Sequence, residues 1–323
     1  MALPHPRTYI VAALACAAPA ITTAQSYPAR ALRIVVASAP GATTDIVARA
    51  LAQRLAEPLG QSVGVDNRPG AGGNIAAELV AKSAPDGYTL LLGFPGLVTN
   101  PFLYPKLGYD PQKDLAPVSL VSASPLALVV HPSLPTRNVA ELVALAKRRP
   151  DELNFLSVGA GTSSHLAGEL FKAMAGVRMV HVPYKSFGQG MVDLIGGRVS
   201  LMINAIPGVL PHVKAGKLRA LGVTGTSRAA TLPDVPTIAA TGLPGYEVVT
   251  WNGILVAAAT PADIVARLTS EIGRALRTSE ARTYFADQGL DVAPGTAAEF
   301  ATFMRREAEK WGDVIRRSGA KLD

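Results

Sequence analysis

Hydrophobic and polar positions along the chain follow two alternating periods. Short apolar, β-branched runs at residues 32–37, 63–65, 88–92 and 127–131 read as buried strands. Between them, residues 43–59 place Val47, Leu51 and Leu55 on one helical face, and residues 74–82 predict a second helix. Asn138 with Glu141 opens a third as a capping box. The grammar then returns, with strands at 154–158, 179–182, 199–203 and 218–223. The helices among them are predicted at 164–174, at 189–195 with a stop at Gly196-Gly197, and near 211–214. A last strand at 254–258 precedes two long helices, opened by Thr260-Pro261-Ala262-Asp263 and Thr296-Ala297-Ala298-Glu299. No repeat of fixed short period is visible. The alternation predicts an α/β fold of two lobes, each a mostly parallel sheet flanked by helices. Crossings near residues 122–129 and 251–257 would link them, giving one lobe of 25–124 with 255–323, a second of 125–254, and a cleft between.

Composition supports a folded chain. Of 323 residues 49% are hydrophobic and 17% charged, the reverse of the balance that disorder needs. The length is that of two domains. A mean hydropathy of +0.25 raises the question of a membrane. The most apolar run, residues 9–20, falls short of the ~20 residues that a spanning helix requires. With Arg7 before it and Thr22-Thr23-Ala24 after it, the segment predicts a signal peptide over residues 1–24 and a periplasmic mature protein. Cys16, the only cysteine, lies inside it, so disulfides and thiolate chemistry are excluded from the mature chain. Acylation at Cys16 stays open as an alternative, although Ala13 stands where a lipid-attachment motif has a large aliphatic residue. The net charge of +7 is scattered. Lys147-Arg148-Arg149 closes a helix, and Arg305, Arg306, Arg316 and Arg317 alternate with Glu307, Glu309 and Asp313. Without a basic stripe, nucleic acid is not the expected partner. Anionic small molecules are.

No catalytic constellation emerges. His131, His165, His181 and His212 have no metal-pair spacing, and neither a nucleophile elbow nor a phosphate loop is present. Gly70-Ala71-Gly72-Gly73 approaches the dinucleotide fingerprint, but Ile75 occupies its third glycine position. Neither a cofactor nor a metal is expected, and the chain is not read as an enzyme. A secreted hydrolase using Ser163 or Ser164 with His165 is the remote alternative. What the chain offers is two similar strand–loop–helix junctions. The first carries Ser38, Pro40, Gly41, Ala42, Thr43, Thr44 and Asp45; the second carries Gly161, Thr162, Ser163 and Ser164. Small residues let a ligand approach the backbone, and free helix N-terminal amides suit an anion. Ordinary capping explains the same residue types.

At these residues the chain resembles the Bug-type periplasmic receptors, the substrate-binding component of tripartite tricarboxylate transporters. The matching stretches include Thr44-Asp45-Ile46-Val47-Ala48-Arg49, Asn67-Arg68-Pro69-Gly70-Ala71-Gly72-Gly73-Asn74, Pro85-Asp86-Gly87-Tyr88, Gly161-Thr162-Ser163-Ser164-His165-Leu166, His181-Val182-Pro183-Tyr184-Lys185, Leu232-Pro233-Asp234-Val235-Pro236-Thr237 and Trp251-Asn252-Gly253. The resemblance covers essentially the whole mature chain. It implies a Venus-flytrap fold of the type II class, a monomer that closes on a small carboxylate and delivers it to membrane permease subunits. It also implies that residues 38–45 and 161–164 hold one carboxylate. Phe94, Pro95, Lys185, Ser186, Asn204, Ala205 and the Trp251 region would form the wall around the rest of the ligand. The family often has an aromatic at Ser38, glycine at Ala42 and Ser186, and aspartate at Asn204. The last departure argues against an amine-bearing ligand. A receptor of the same fold serving a membrane sensor is the alternative partner reading.

Overall fold

A computed structural model describes residues 27–159, 161–184 and 186–318. The predicted signal peptide, Cys16 and Lys185 lie outside the described residues.

The chain begins with β1 (Leu32–Val36), α1 (Thr43–Leu59), β2 (Val63–Asn67), α2 (Asn74–Ala81), β3 (Thr89–Gly93) and α3 (Gly96–Leu103). A 16-residue strand, β4 (Leu115–Val130), leads to α4 (Val139–Arg148), β5 (Asn154–Ser157), α5 (Ser163–Ala175), β6 (Val180–Pro183), α6 (Phe187–Ile195), β7 (Leu201–Ala205) and α7 (Ile206–Lys214). Then come β8 (Arg219–Val223), α8 (Ile238–Thr241), β9 (Val249–Ala257), α9 (Ala262–Arg277), α10 (Ser279–Asp287) and α11 (Ala297–Ser318).

The strands join in the order β2-β1-β3-β9-β4-β7-β5-β6, with β8 also on β4. β1 pairs in parallel with β2 and β3, and β5 in parallel with β6 and β7. Each parallel triplet is thus a β-α-β-α-β unit with its first strand in the middle. The repeat lies in topology, which is why no short sequence period betrays it. The antiparallel strands do the joining: β3 pairs with β9 and β7 with β4, so each half is mixed rather than wholly parallel. β4 and β9 pair from Leu115↔Ala257 to Pro125↔Val249, and the rest of β4 continues between β7 and β8.

Only the end of β4 is visible as a strand in the sequence. Ser119, Ser122 and Ser124 interrupt its apolar pattern, yet all three are buried. Two of them are satisfied from the far end of the chain: Ser119 Oγ reaches Gly295 O at 2.9 Å, and Ser124 Oγ accepts from Asp291 N at 2.9 Å. Three C-terminal helices are present where two were predicted, and α3 and α8 were not foreseen. Thr296 and Glu299 form the expected reciprocal box, with Glu299 N on Thr296 Oγ1 at 3.2 Å and Thr296 N on Glu299 Oε2 at 2.7 Å. Thr260 forms none. Pro261 is the N-cap of α9 without a side-chain cap bond, and Thr260 Oγ1 turns back to Ala257 O at 2.7 Å.

Burial explains the helix faces. Val47, Leu51 and Leu55 of α1 are fully enclosed with Leu268 and Ile272 of α9 and Phe285 of α10. On the opposite face, one continuous core runs from Ala76, Val80 and Leu97 through Phe300, Met304 and Trp311 of α11 to Leu166 and Phe171 of α5. α11 therefore straps both halves of the sheet. Deleting one of its large buried side chains, as in Phe300→Ala, is expected to cost about 3–5 kcal/mol, read by urea denaturation. A cost below about 1 kcal/mol would contradict this packing role.

Candidate functional site

In an open α/β sheet the crevice for a ligand lies at the carboxyl ends of strands where the connections diverge. Here two such points exist. β1 and β3 diverge in the first half, and β5 and β7 in the second. The four loops leaving those strands contain most of the residues singled out from the sequence.

The first junction follows β1. Gly41, with φ of 83°, turns the chain, and Ala42 caps α1 with φ −72° and ψ 160°. No side chain caps this helix, so the first-turn amides of Thr43 and Thr44 stay open to a ligand. The loop is held instead by Asp45, which is 2% exposed. Its Oδ2 accepts Gly41 N at 2.8 Å and Arg49 Nε at 2.9 Å; its Oδ1 accepts Asn67 Nδ2 at 2.9 Å. The same Asn67 amide group reaches Ser38 O at 3.0 Å, and Thr44 Oγ1 donates to Ser38 Oγ at 2.6 Å. The Arg49 hydrogen bond, with help from the Gly41 amide and Asn67, holds the Asp45 carboxyl down to about 2 although burial pushes the other way.

The second junction, after β5, repeats this backbone with different side chains. Gly161 has φ of 74°, and Thr162 caps α5 with φ −71° and ψ 160°. Gly161 N donates to His165 Nδ1 at 3.0 Å, so His165 occupies the place that Asp45 holds in the first junction. Thr162 is a true side-chain cap, accepting His165 N at 3.4 Å while donating to Gly159 O at 2.8 Å. Ser164 is buried, and its Oγ accepts Val158 N at 3.3 Å. Ser163, at the first helical position, is half-buried.

Beneath this loop lies a stack of two imidazoles. His165 and His181 are 3.9 Å apart between ring centroids and 14° from parallel, with Phe155 continuing the stack at 5.0 Å from His181. His181 Nε2 meets Ser157 Oγ at 2.7 Å, and Ser157 Oγ in turn holds both Gly159 N and Gly159 O. Burial holds both rings neutral, each pushed down to about 4; the neighbouring His181 and Lys172 charges add to this for His165, and Lys172 for His181. Below pH 6.5 the unfolded chain takes up protons that the folded chain declines. Stability is therefore expected to fall as pH drops from 6.5 toward 4, His165 alone accounting for about 3 kcal/mol. Melting temperatures across that window test this, and a flat profile would contradict it.

The loop after β3 carries Phe94 and Pro95. Phe94 packs over Gly73 and Gly96, where a Cβ on either would overlap its ring, and a Cβ on Gly72 would overlap the Tyr104 hydroxyl. Gly70, Gly72 and Gly73 all have positive φ, as does Ala71 at 48°. The glycine run that approached a dinucleotide fingerprint is thus a seat for two aromatic rings. It is tied down by Asn100, whose Nδ2 reaches Gly72 O at 3.0 Å and Asn74 Oδ1 at 2.8 Å, with Tyr109 Oη on the same Asn74 oxygen at 3.0 Å. Gly73→Ala, which meets both the Phe94 ring and a φ of 89°, is expected to lower stability by about 1–3 kcal/mol in denaturant titration. An unchanged midpoint would contradict the seat.

A cavity of about 280 Å³ bridges the halves, lined by Gly72, Phe94, Pro95, Gly96, Asn100, Leu103 and Tyr104 on one side and Gly161, Thr162 and Ser163 on the other. It gathers Phe94, Pro95, Gly161, Thr162 and Ser163 from the predicted residues. Asn100, Leu103 and Tyr104 were missed because α3, short and interrupted by Pro101, carries no readable period. A cavity of about 180 Å³ between α3 and α11 lies away from both junctions.

The other predicted residues fall elsewhere. Asn204 and Ala205 end β7, half-buried, where Ala205 caps α7 without a side-chain bond. Ser186 is an N-cap, accepting Gln189 N at 3.3 Å for α6. Trp251 does not reach this cavity. It is 1% exposed, edge-on to Phe300 at 5.6 Å and Phe303 at 5.7 Å, because β9 turns it toward α11. Among the described residues no three His, Cys, Asp or Glu converge as a metal site, and no helix is long and apolar enough to cross a membrane.

A two-part α/β sheet with matching strand–loop–helix junctions at its strand ends is the fold of the periplasmic solute-binding proteins. The chain belongs to the tripartite tricarboxylate transporter family receptors, whose family model matches residues 47–320. It is 38% identical over 314 residues to protein BugT of Bordetella pertussis, covering 97% of this chain and 96% of that one. Among solved structures, R. palustris Rpa4515 with adipate is 38% identical with a TM-score of 0.79, covering 92% of this chain and 100% of the other. MatC (Rpa3494) from Rhodopseudomonas palustris with bound malate is 34% identical with a TM-score of 0.74, covering 90% and 100%. These relatives are substrate-binding receptors, not enzymes.

Proposed function

We propose that this chain is a periplasmic receptor that takes one carboxylate of a small organic acid between its β1–α1 and β5–α5 junctions. The observation that carries the reading is the pair of equivalent junctions, the first with no side-chain cap; the cavity lined from both halves takes Gly161, Thr162 and Ser163 from the second junction and none of residues 38–45 from the first. Arg49 is engaged by Asp45 and Lys172 by Glu169, so the anion would rest on backbone amides and hydroxyls. Charge-assisted hydrogen bonds of ~1.5–3 kcal/mol each sum to micromolar affinity after ordering costs. Such affinity suits capture followed by release. The adipate and malate in the two R. palustris structures support a carboxylate as the ligand class.

In this reading residues 1–24 are removed on export. The lobes are 25–124 with 255–323, and 125–254. They close about the β4–β9 ladder, and the loaded monomer hands its ligand to membrane permease subunits of a tripartite tricarboxylate transporter. Titration against a panel of mono-, di- and tricarboxylates tests the binding step. A true ligand at 100 times its Kd is expected to stabilise the fold by about 2.7 kcal/mol. No thermal shift with any member of the panel would refute it.

A further inference from the structure

The two junctions share a backbone and differ in the side chain that anchors it. In the first, Gly41 N is taken by the Asp45 carboxylate; in the second, Gly161 N is taken by His165 Nδ1. The anchors sit at the same helical position, four residues after a glycine of positive φ. We propose that His165 is the positioning residue of the second junction: as a neutral imidazole it accepts the Gly161 amide and so fixes the loop for the carboxylate. This rests on the reading of that loop as a carboxylate site.

The chemistry requires one protonation state. Nδ1 can accept the Gly161 amide only while it carries no proton, so the ring's proton sits on Nε2, which faces Glu169 Oε1 at 3.8 Å. A proton at Nδ1 would turn acceptor into donor and set two N–H groups against each other. The surroundings oppose that proton from several sides. His181 of β6 stacks on one face and Phe155 of β5 lies beyond it. Lys172 of α5 stands close by, engaged with Glu169 at 2.8 Å, and that carboxylate is the one group that would favour a charged ring. Thr162 and Ser164 hold the same loop from the helix side, Thr162 Oγ1 on Gly159 O and Ser164 Oγ on Val158 N. His181 grips Ser157, Ser157 grips Gly159, and His165 grips Gly161.

His165→Asn and His165→Ala separate positioning from packing. Asparagine puts Oδ1 near the place of Nδ1, as Asp45 does in the other junction, whereas alanine leaves the Gly161 amide unpartnered. Both variants lose the stack on His181 and should melt at lower temperature. Amide hydrogen exchange of the ligand-free protein is expected to show Gly161 protected in the wild type and in His165→Asn, and unprotected in His165→Ala. In calorimetric titration with adipate, malate and the best member of the panel, His165→Ala should bind about tenfold more weakly or worse, and His165→Asn within about threefold of wild type. From pH 7 to pH 4 the ratio of wild-type to His165→Asn affinity should fall, a comparison that cancels protonation of the ligand itself. Equal affinity of the two variants, retained protection of Gly161 in His165→Ala, or a pH-independent ratio would each overturn the proposal. If alanine fails to fold, the exchange of wild type and asparagine and the pH ratio still decide it. A wild type that binds no carboxylate refutes the functional reading and this proposal's purpose together. A protected Gly161 in that same protein would show that the failure lay in the ligand and not in the anchor.

Discussion

Asp45→Ala is expected to abolish carboxylate binding and to destabilise the fold by about 1–3 kcal/mol, the cost of leaving a buried donor without its acceptor. The substitution leaves the Gly41 amide without its partner and takes one acceptor each from the Asn67 amide, which keeps Ser38 O, and the Arg49 guanidinium, which keeps Asn67 Oδ1. The two amides shape the loop that presents the first-turn amides of α1. Asp45→Asn keeps an acceptor for Gly41 but loses the ion pair, so it should bind weakly and fall between alanine and wild type in stability. The acid limb carries the same signature. The folded carboxyl is held near 2 while the unfolded one lies near 3.8. Its contribution of about 2 kcal/mol is complete above pH 4 and is lost as pH falls toward 2. Denaturant midpoints and calorimetric titration check both parts. An alanine variant with wild-type affinity and midpoint would show that the loop holds itself.

Gly253→Val should destabilise the fold through a different route. Gly253 pairs with Gly93 across β9 and β3, and a Cβ there would overlap the Phe300 ring. Valine must drive Phe300 out of its place, and with it the edge-on packing of Trp251 against Phe300 and Phe303. Because α11 packs on α3, β4 and α5, displacing it loosens the strap across both halves. A loss of about 3 kcal/mol or more is expected, with a red shift of tryptophan emission. Combining it with Phe300→Ala should return part of the loss, because the two changes share one space. A Gly253→Val protein that melts within a few degrees of wild type would contradict this packing.

The sequence disclosed what local rules decide. Val47, Leu51 and Leu55 announced α1 to the residue, and the boxes at Asn138 and Thr296 marked two helix starts. Both junctions were legible because glycine and hydroxyl residues are rare enough together to stand out. Features decided by distant partners were not legible. Ser119 and Ser124 of β4 look like loop residues until the 291–295 segment supplies their hydrogen bonds. The glycine run at 70–73 is only a near miss to a dinucleotide fingerprint until Phe94 and Tyr104 are seen to fill it. Trp251 looks like a wall residue until β9 turns it toward α11. The kinship of Asp45 and His165 is hidden for a chemical reason. A carboxylate and an imidazole share no residue type, yet either can accept one glycine amide.

The central claim is that one carboxylate is held between the two junctions, and a crystal structure grown with the tightest acid from the panel tests it most directly. The account predicts carboxylate oxygens within hydrogen-bond distance of the Thr43 and Thr44 amides on one side and of Gly161, Thr162 or Ser163 groups on the other. A carboxylate seated elsewhere, or touching one junction while the other stays open to solvent, would contradict it.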